Sequence, residues 1–377
     1  MTRVTHIYSG NRFGGIEVLL LQLQEQRETC AQMAPSFVLC FDGLLAKKLR
    51  ALGATVALLG DVRMSRPWTV LRAQLAFARN LRREKPDVII CHETWSYTVA
   101  APVAKILGVP IIAWFHNPLS GYSLETTPRL LKPDLAFACS DYVASSLKGL
   151  IAAERIKTAF TPIPEPSPSH LLKRKETRHK LGVNDDKPVI LFAGRLSSYK
   201  GQRDLLNALA LLKDCRFHAW ITGNPQNDDE KHFLSELKQQ CADTGLDQHV
   251  SFLGFVENMS DVFAAADIYC QPNNSPEPYG LSFIEALYFG MPVVATDFGG
   301  PAEILKDSAT GQRFGILVKP CEPALLAAAL RTLLTDASKR SAYKNTAPAR
   351  ARALSQPSVA LNRIFGFLNE ALSKSRQ

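Results

Sequence analysis

The chain is poorer in structural signposts than its length suggests. Its eight cysteines include no CxxC pair and no Cys/His cluster at zinc-ligand spacing, which argues against a zinc site and against a disulfide framework. Cys40, Cys91, Cys139 and Cys270 instead lie in strand-like apolar runs, where a reduced thiol acts as a small hydrophobe. No run reaches the roughly 18 unbroken apolar residues that a membrane span needs. The amino end also lacks a secretory signal, because Val4–Tyr8 gives way at once to the polar, glycine-rich Ser9–Gly15. The expectation is a soluble cytoplasmic protein, or one bound to a membrane from its cytoplasmic face. Acidic residues are the scarcer sign, with 35 Asp plus Glu against 44 Lys plus Arg and a net charge of +9. Residues 1–165 hold 19 basic and 13 acidic residues, so +6 of that excess lies in the first part. Such an excess favours phosphorylated ligands, an anionic membrane surface or nucleic acid without choosing among them. With 46% hydrophobic and 21% charged residues, a disordered or collagen-like chain is excluded.

What is present is an alternation. Short β-rich runs (Val4–Tyr8, Ser36–Phe41, Thr55–Leu59, Asp87–Cys91, Ile111–Phe115, Leu135–Cys139) are separated by helical patterns such as Glu17–Glu28, Trp68–Glu84, Ser96–Leu107 and Val143–Ala152. Apolar strands interleaved with helices predict a parallel sheet covered on both faces. Composition then shifts at 161–187, where four prolines fall within residues 162–168 and a basic cluster follows. That stretch reads as a linker with a short lead-in helix. The alternation resumes with Pro188–Phe192, His218–Thr222, Val250–Leu253, Ile268–Gln271, Pro292–Ala295 and Gly315–Val318. The expected fold class is α/β, with two doubly wound Rossmann-like domains facing a cleft at the carboxyl ends of their strands. The expected boundaries are 1–165, a linker at 166–187, 188–340, and helices over 341–377 that return to the first domain.

Four segments sit where a strand hands over to a loop or helix. Ser9-Gly-Asn-Arg-Phe-Gly-Gly-Ile-Glu17 follows the first strand; Gly14 and Gly15 either let a phosphate approach a helix start or form a plain βα turn. It is not GxGxxG, which disfavours an ordinary dinucleotide site. In Val189–Gln202, Gly194–Arg195 and Lys200–Gly201 flank a short loop. This is no Walker loop, since the lysine precedes the glycine, yet it gathers a guanidinium and an ammonium suited to phosphate; the alternative is a solvated loop. The third segment, Ser275–Val294, is the most specific through its string Glu277-Pro-Tyr-Gly280, Glu285 and Gly290-Met-Pro292. Glu277 and Glu285 are placed to border one cavity, and the N–H groups of Tyr279, Gly280, Leu281 and Ser282 form a positive helix end. Phe298-Gly-Gly-Pro-Ala-Glu303 either offers further backbone donors or makes a tight turn. His116 follows the strand Ile111–Phe115 and either fills a structural role or touches a ligand hydroxyl or phosphate; His92 and Glu93, after the preceding strand, are similar.

Taken in order, these motifs resemble those of the retaining group 1 glycosyltransferases of GT-B architecture, over nearly the whole chain. The resemblance implies transfer of a sugar from a nucleotide diphosphate donor to a glycan or lipid-linked acceptor, as in envelope polysaccharide, lipopolysaccharide or glycolipid synthesis. It also implies retention at the anomeric carbon, no metal ion and no cofactor besides the nucleotide sugar. Carried over by motif, Arg195 and Lys200 hold the donor diphosphate and Glu285 binds ribose. Glu277 meets the transferred sugar with the backbone of Tyr279–Ser282, Gly15 lies against the diphosphate, and His116 contacts the sugar near the reacting centre. Thr161-Pro-Ile-Pro-Glu-Pro departs from the Asn-Gly turn usual near the hinge of this family. The rival readings are a GT-B sugar-nucleotide epimerase or phosphorylase, and a non-catalytic nucleotide-sugar-binding protein.

The acceptor-side domain carries one further pattern. Arg66, Arg72, Arg79, Arg82, Arg83 and Lys85 crowd one helix with Trp68, Leu71, Leu75 and Phe77 among them. That helix is either a membrane-surface patch receiving a lipid-linked acceptor or a solvated face. No aromatic stacking platform for nucleic acid is visible.

Overall fold

The computed structural model describes residues 1–10, 14–121 and 123–375, so Asn11, Arg12 and Phe13 of the first glycine segment lie outside the described residues. The chain divides into two compact units, one made of 1–163 with 355–377 and the other of 164–354.

In the first unit, β1 (Thr2–Tyr8), β2 (Met33–Leu39), β3 (Val56–Leu58), β4 (Val88–His92), β5 (Ile111–Phe115), β6 (Leu135–Ala138) and β7 (Ile156–Thr158) form one sheet in the order β3-β2-β1-β4-β5-β6-β7. All of its pairings are parallel, with Val4 opposite Pro35 on one side and Val88 on the other. The central strands are buried along their length, as helices on both faces require. The closing helix Pro357–Ser375 supplies Leu361, Ile364 and Leu368 to this unit's core. The short edge strand β7 was not expected. It offers three half-buried residues, one of them lysine, and so lacks the apolar run that marks its neighbours.

The second unit repeats the plan with β8 (Val189–Ala193), β9 (His218–Thr222), β10 (Val250–Gly254), β11 (Ile268–Gln271), β12 (Val293–Thr296) and β13 (Gly315–Val318), in the order β10-β9-β8-β11-β12-β13. In each sheet the order of connection reverses beside the first strand, between β1 and β4 and between β8 and β11. Loops diverge there, leaving a crevice at the strands' carboxyl ends.

Two expected boundaries need correction. The expected lead-in helix is present as Ser169–Leu172 and Arg174–Lys180, but residues 166–187 belong to the second unit instead of standing between the two. Arg174 donates to the carbonyls of Ala264 and Ala266 at 2.9 Å, and both Arg174 and Arg178 pair with Asp267. Part of the basic cluster thus caps a helix end inside the unit instead of facing a polyanion. The return to the first unit begins at Ser355 rather than 341, because the helix Ala337–Ser355 stays with the second unit as far as Leu354 and Pro357 starts a new helix.

Candidate functional site

The carboxyl ends of β8 and β11 are joined by close backbone packing. Gly201 has φ +83°, and a Cβ there would lie 1.8 Å from the carbonyl oxygen of Pro272. Only glycine lets the loop carrying Lys200 come this near the loop after β11. Asn274 N–H donates to the Tyr199 carbonyl at 3.0 Å, and the buried Gln202 amide holds the Arg195 carbonyl at 2.8 Å. These contacts tie the two loops together, which fixes Lys200 of the first against Glu277 of the second.

On that base Lys200 and Glu277 form an ion pair, with only 12% and 14% of their side chains exposed. A buried relay orients the carboxylate. Asn273 donates to Glu277 Oε2 at 3.0 Å, Gln271 donates to Asn273 at 2.8 Å, and the Tyr269 hydroxyl lies 2.6 Å from Gln271 Oε1 and 2.7 Å from Ser282 Oγ. Asn273 is fully buried and Gln271 nearly so. Satisfied polar networks in such surroundings hold their members in one arrangement. The sequence motifs singled out none of Asn273, Gln271 and Tyr269. Their one signal is polar atoms at the end of an otherwise apolar strand.

Arg195 is exposed and donates to the Tyr199 hydroxyl at 3.1 Å, while Lys200 Nζ stands 5.3 Å from the centre of the same ring. Tyr199 therefore tethers the two cations expected to grip phosphate. Behind Arg195 opens a cavity of about 350 Å³ bordered by Gly194, Gly223, Phe255, Ser282 and Glu285. The half-buried Glu285 side chain has no hydrogen-bond or ion-pair partner among the described residues, and desolvation pushes its carboxyl up to about 7. A desolvated, unpartnered carboxylate in a cavity wall is a group built to meet something. Phe255, with 76% exposure, borders the same cavity and offers an apolar ring that the sequence reading overlooked.

The helix Leu281–Tyr288 begins at this wall. Gly280, at φ +104°, turns the chain into it, and a Cβ there would meet the Phe283 ring at 2.5 Å. Gly299 and Gly300 lie under the same loop; a Cβ on either would come within 2.5 Å of the Glu277 or Tyr279 carbonyl oxygen. The Gly300 N–H already donates to the Glu277 carbonyl at 2.8 Å. Of the two readings of this glycine pair, close packing is the one observed.

The first unit presents different chemistry. Gly15 opens the helix Gly15–Glu25, but the preceding Gly14 N–H donates to Glu17 Oε2 at 2.7 Å, and the other Glu17 oxygen accepts from Tyr8 at 2.9 Å. This helix start thus holds a carboxylate of its own chain. Glu93 sits at the end of β4 with φ +72°, a strained backbone for a residue other than glycine. His116 is half-buried, and His92, fully buried, lies 3.0 Å from it. Desolvation holds His116 down to about 3, so it is a neutral imidazole at any ordinary pH. Among the described residues no three His, Cys, Asp or Glu side chains gather as a metal-ion site.

Comparison with known proteins gives these features a context. Residues 173–350 match the family model described as glycosyl transferases group 1, and residues 14–164 match glycosyltransferase family 4. The chain belongs to the group 1 glycosyltransferases. It is 28% identical over 284 residues to an uncharacterised glycosyltransferase of Methanocaldococcus jannaschii, a match spanning 70% of each chain. Over 261 residues it is 28% identical to a phosphatidyl-myo-inositol mannosyltransferase of Mycobacterium leprae, covering 68% of this chain and 66% of that one. Its fold is GT-B: the Anabaena protein HepE, solved with UDP and glucose, superposes with a TM-score of 0.83 over 98% of this chain and all of that one, at 24% identity. In this glycosyltransferase the group 1 match embraces Arg195, Lys200, Glu277 and Glu285, and the family 4 match embraces Gly15, the basic helix and His116.

Proposed function

We propose that this protein is a retaining, metal-independent glycosyltransferase that moves a hexose from a nucleotide diphosphate donor to a lipid-linked or glycan acceptor. The observation that carries the reading is the second unit's arrangement: a Lys200–Glu277 pair set by buried amides, beside a cavity whose wall holds the unpartnered Glu285. Glu285 accepts the ribose hydroxyls, which suits a carboxylate lacking donors of its own. Arg195 and Lys200 take the diphosphate, and Glu277 accepts from hydroxyls of the sugar once the ammonium turns to phosphate.

As the bond from the anomeric carbon to the phosphate oxygen breaks, negative charge grows on the diphosphate. The two cations and the helix start at Gly280–Ser282 stabilise it in place of a metal ion. The acceptor oxygen bonds to the anomeric carbon on the face the phosphate leaves, and its proton passes to the departing phosphate oxygen. This scheme retains configuration without the paired carboxylates of a hydrolase. The HepE complex with UDP and glucose makes uridine donors the first to try.

The acceptor side is the finer part of the proposal. In the helix Pro67–Glu84, Trp68, Leu71 and Leu75 are 66%, 58% and 52% exposed and share one outer face with exposed Arg72, Arg79 and Arg82. Ala73, Phe77 and Leu81 face inward. Apolar anchors ringed by cations fit an anionic lipid surface. Among the described residues no helix is long and apolar enough to cross a membrane, so contact would be peripheral. The Mycobacterium leprae relative, named for a phosphatidylinositol lipid, supports a lipid-borne acceptor.

The test is a thermal-shift panel of UDP-, GDP- and ADP-sugars, followed by incubation of the stabilising donor with and without lipid and glycan acceptors. A donor-dependent rise in melting temperature and an α-linked product from an α-donor are expected. An epimerised nucleotide sugar, a sugar phosphate, or binding without turnover would each replace this reading with a rival.

A further inference from the structure

Three histidines of the first unit, in β1, at the end of β4 and just after β5, form a line that the transfer scheme leaves unused. Resting on the proposed reaction and adding to it one role, His116 meeting a substrate hydroxyl, we propose that His6 and His92 are positioning residues that fix the tautomer of His116, so that its Nδ1–H is the group presented to that hydroxyl oxygen.

The geometry is a chain of imidazoles. His6 Nδ1 lies 3.0 Å from His92 Nε2, and His92 Nδ1 lies 3.0 Å from His116 Nε2. The rings stack at 5.3 Å and 5.2 Å between centres, flanked by Phe37 beside His6 and Trp114 beside His92. His92 is fully buried and His6 is 4% exposed. Desolvation keeps all three neutral, with His6 and His116 lowered to about 3 and His92 displaced in the same direction. A neutral imidazole owns one N–H and one lone pair. The middle ring must therefore donate from one nitrogen and accept at the other, and all three hydrogens run in one sense. Setting the proton on either end ring sets the other.

The inner end selects the sense. His6 lines a cavity of about 20 Å³, enough for one water, with Arg27 and otherwise apolar or sulfur-bearing side chains. No side-chain oxygen borders that space, and a guanidinium offers only donors. A lone pair on His6 Nε2 suits it better than an N–H does. The proton then sits on His6 Nδ1 and donates to His92, His92 Nδ1 donates to His116 Nε2, and His116 is left with its hydrogen on Nδ1. Apolar rings at positions 6 and 92 would fill the space between Phe37 and Trp114 without burying polar nitrogens, so packing alone does not call for this line.

The tautomers can be read without substrate, by long-range ¹H–¹⁵N correlation on the full chain labelled with ¹⁵N-histidine at neutral pH. All three rings are expected in the Nδ1–H form, the less common one for a free side chain. In His6→Leu, His116 should relax toward Nε2–H. In His6→Asn, whose amide N–H stands where Nδ1–H was, the Nδ1–H form should return. Donor kcat/KM should fall about threefold to tenfold in His6→Leu, mostly through KM, and recover in His6→Asn, the effect of one neutral hydrogen bond. His116 carrying its proton on Nε2 in the unaltered protein, or an unchanged His116 tautomer in His6→Leu, overturns the proposal. Should His6→Leu not fold, the spectrum of the unaltered chain decides alone. Because the spectrum needs no turnover, a failed transfer assay with the expected tautomers would strike the proposed reaction and leave the relay standing.

Discussion

The two units share a sheet plan but treat charge in opposite ways at their switch points. The second gathers Arg195, Lys200, Glu277 and Glu285 around the ends of β8 and β11 and holds them with buried amides. The first, at the ends of β1, β4 and β5, presents imidazoles kept neutral by burial and a carboxylate already bonded to Tyr8. Its excess cations stand on the outer helix Pro67–Glu84 instead. One fold can therefore host a site for a charged leaving group or a site for neutral hydroxyls. The choice lies in the few residues after each central strand.

The comparison breaks most sharply at the ion pair. Lys200→Ala removes a cation from the growing diphosphate charge and strands Glu277, so turnover should fall by about 100- to 1,000-fold. Glu277→Ala should lose a similar factor. Circular dichroism should show both variants folded, since neither side chain belongs to the second unit's apolar core. Near-normal turnover in both would remove the second unit's claim to the chemistry.

Next in size is the glycine that brings the loops together. Gly201→Ala places a methyl group against the Pro272 carbonyl and forces a left-handed backbone on a residue with a side chain. A stability loss of roughly 2–3 kcal/mol is expected, together with weaker donor binding, because Lys200 and Asn273 ride on the displaced loops. Gly15→Ala in the first unit makes a contrast. The helix there is already capped by Glu17 to the Gly14 amide, so a smaller stability change is expected. Chemical denaturation of both variants measures the difference.

Much of this was legible in the chain itself. The strands came through because parallel strands buried on both faces read as unbroken apolar runs, and the glycines and charges after them mark the crevice. Three-residue β7 escaped, and the 161–187 stretch gave its lead-in helix but not its membership of the second unit. Prolines at 162–168 do exclude regular structure locally, yet the arginines that follow, 174 and 178, serve Asp267 and the Ala264–Ala266 carbonyls, partners about 90 residues away. Of the relays, Glu277, His92 and His116 were legible, whereas Tyr269, Gln271, Asn273 and His6 were not. Tyr269, Gln271 and Asn273 follow one another along β11 and the loop after it, while His6 meets His92 only because β1 and β4 are neighbours in the sheet.

A smaller effect separates the units by pH. Glu285 holds its proton more tightly in the folded protein than in the unfolded chain, up to about 7 against an ordinary 4.5. Its contribution to stability is thus complete below pH 4.5 and lost as pH rises through about 7. In the proposed role ribose hydroxyls donate to the ionised form, so donor affinity should strengthen up to tenfold per pH unit below 7 and level off above. Calorimetry across pH 5.5–8 reads this, and Glu285→Gln should flatten the profile. The histidines of the first unit, already neutral throughout that range, should add no slope of their own. A slope surviving in Glu285→Gln would move the titrating group elsewhere.

The smallest expected effect lies on the outer helix, where the first unit keeps its charge. Trp68→Ala and Leu71→Ala each remove an exposed anchor that touches little else in the unit, so stability should hardly change. Binding to vesicles containing phosphatidylglycerol should weaken by about threefold to tenfold for each, in keeping with one apolar side chain entering the interface. Arg79→Ala should cost about as much at low salt and much less at high salt, because the attraction to anionic headgroups is screened while apolar insertion is not. Vesicles of phosphatidylcholine alone should bind all forms weakly. Turnover on a water-soluble acceptor should stay unchanged in every one of these variants. Equal vesicle binding by the parent and Trp68→Ala would leave this face as ordinary solvated surface, and the acceptor would then have to be sought in solution.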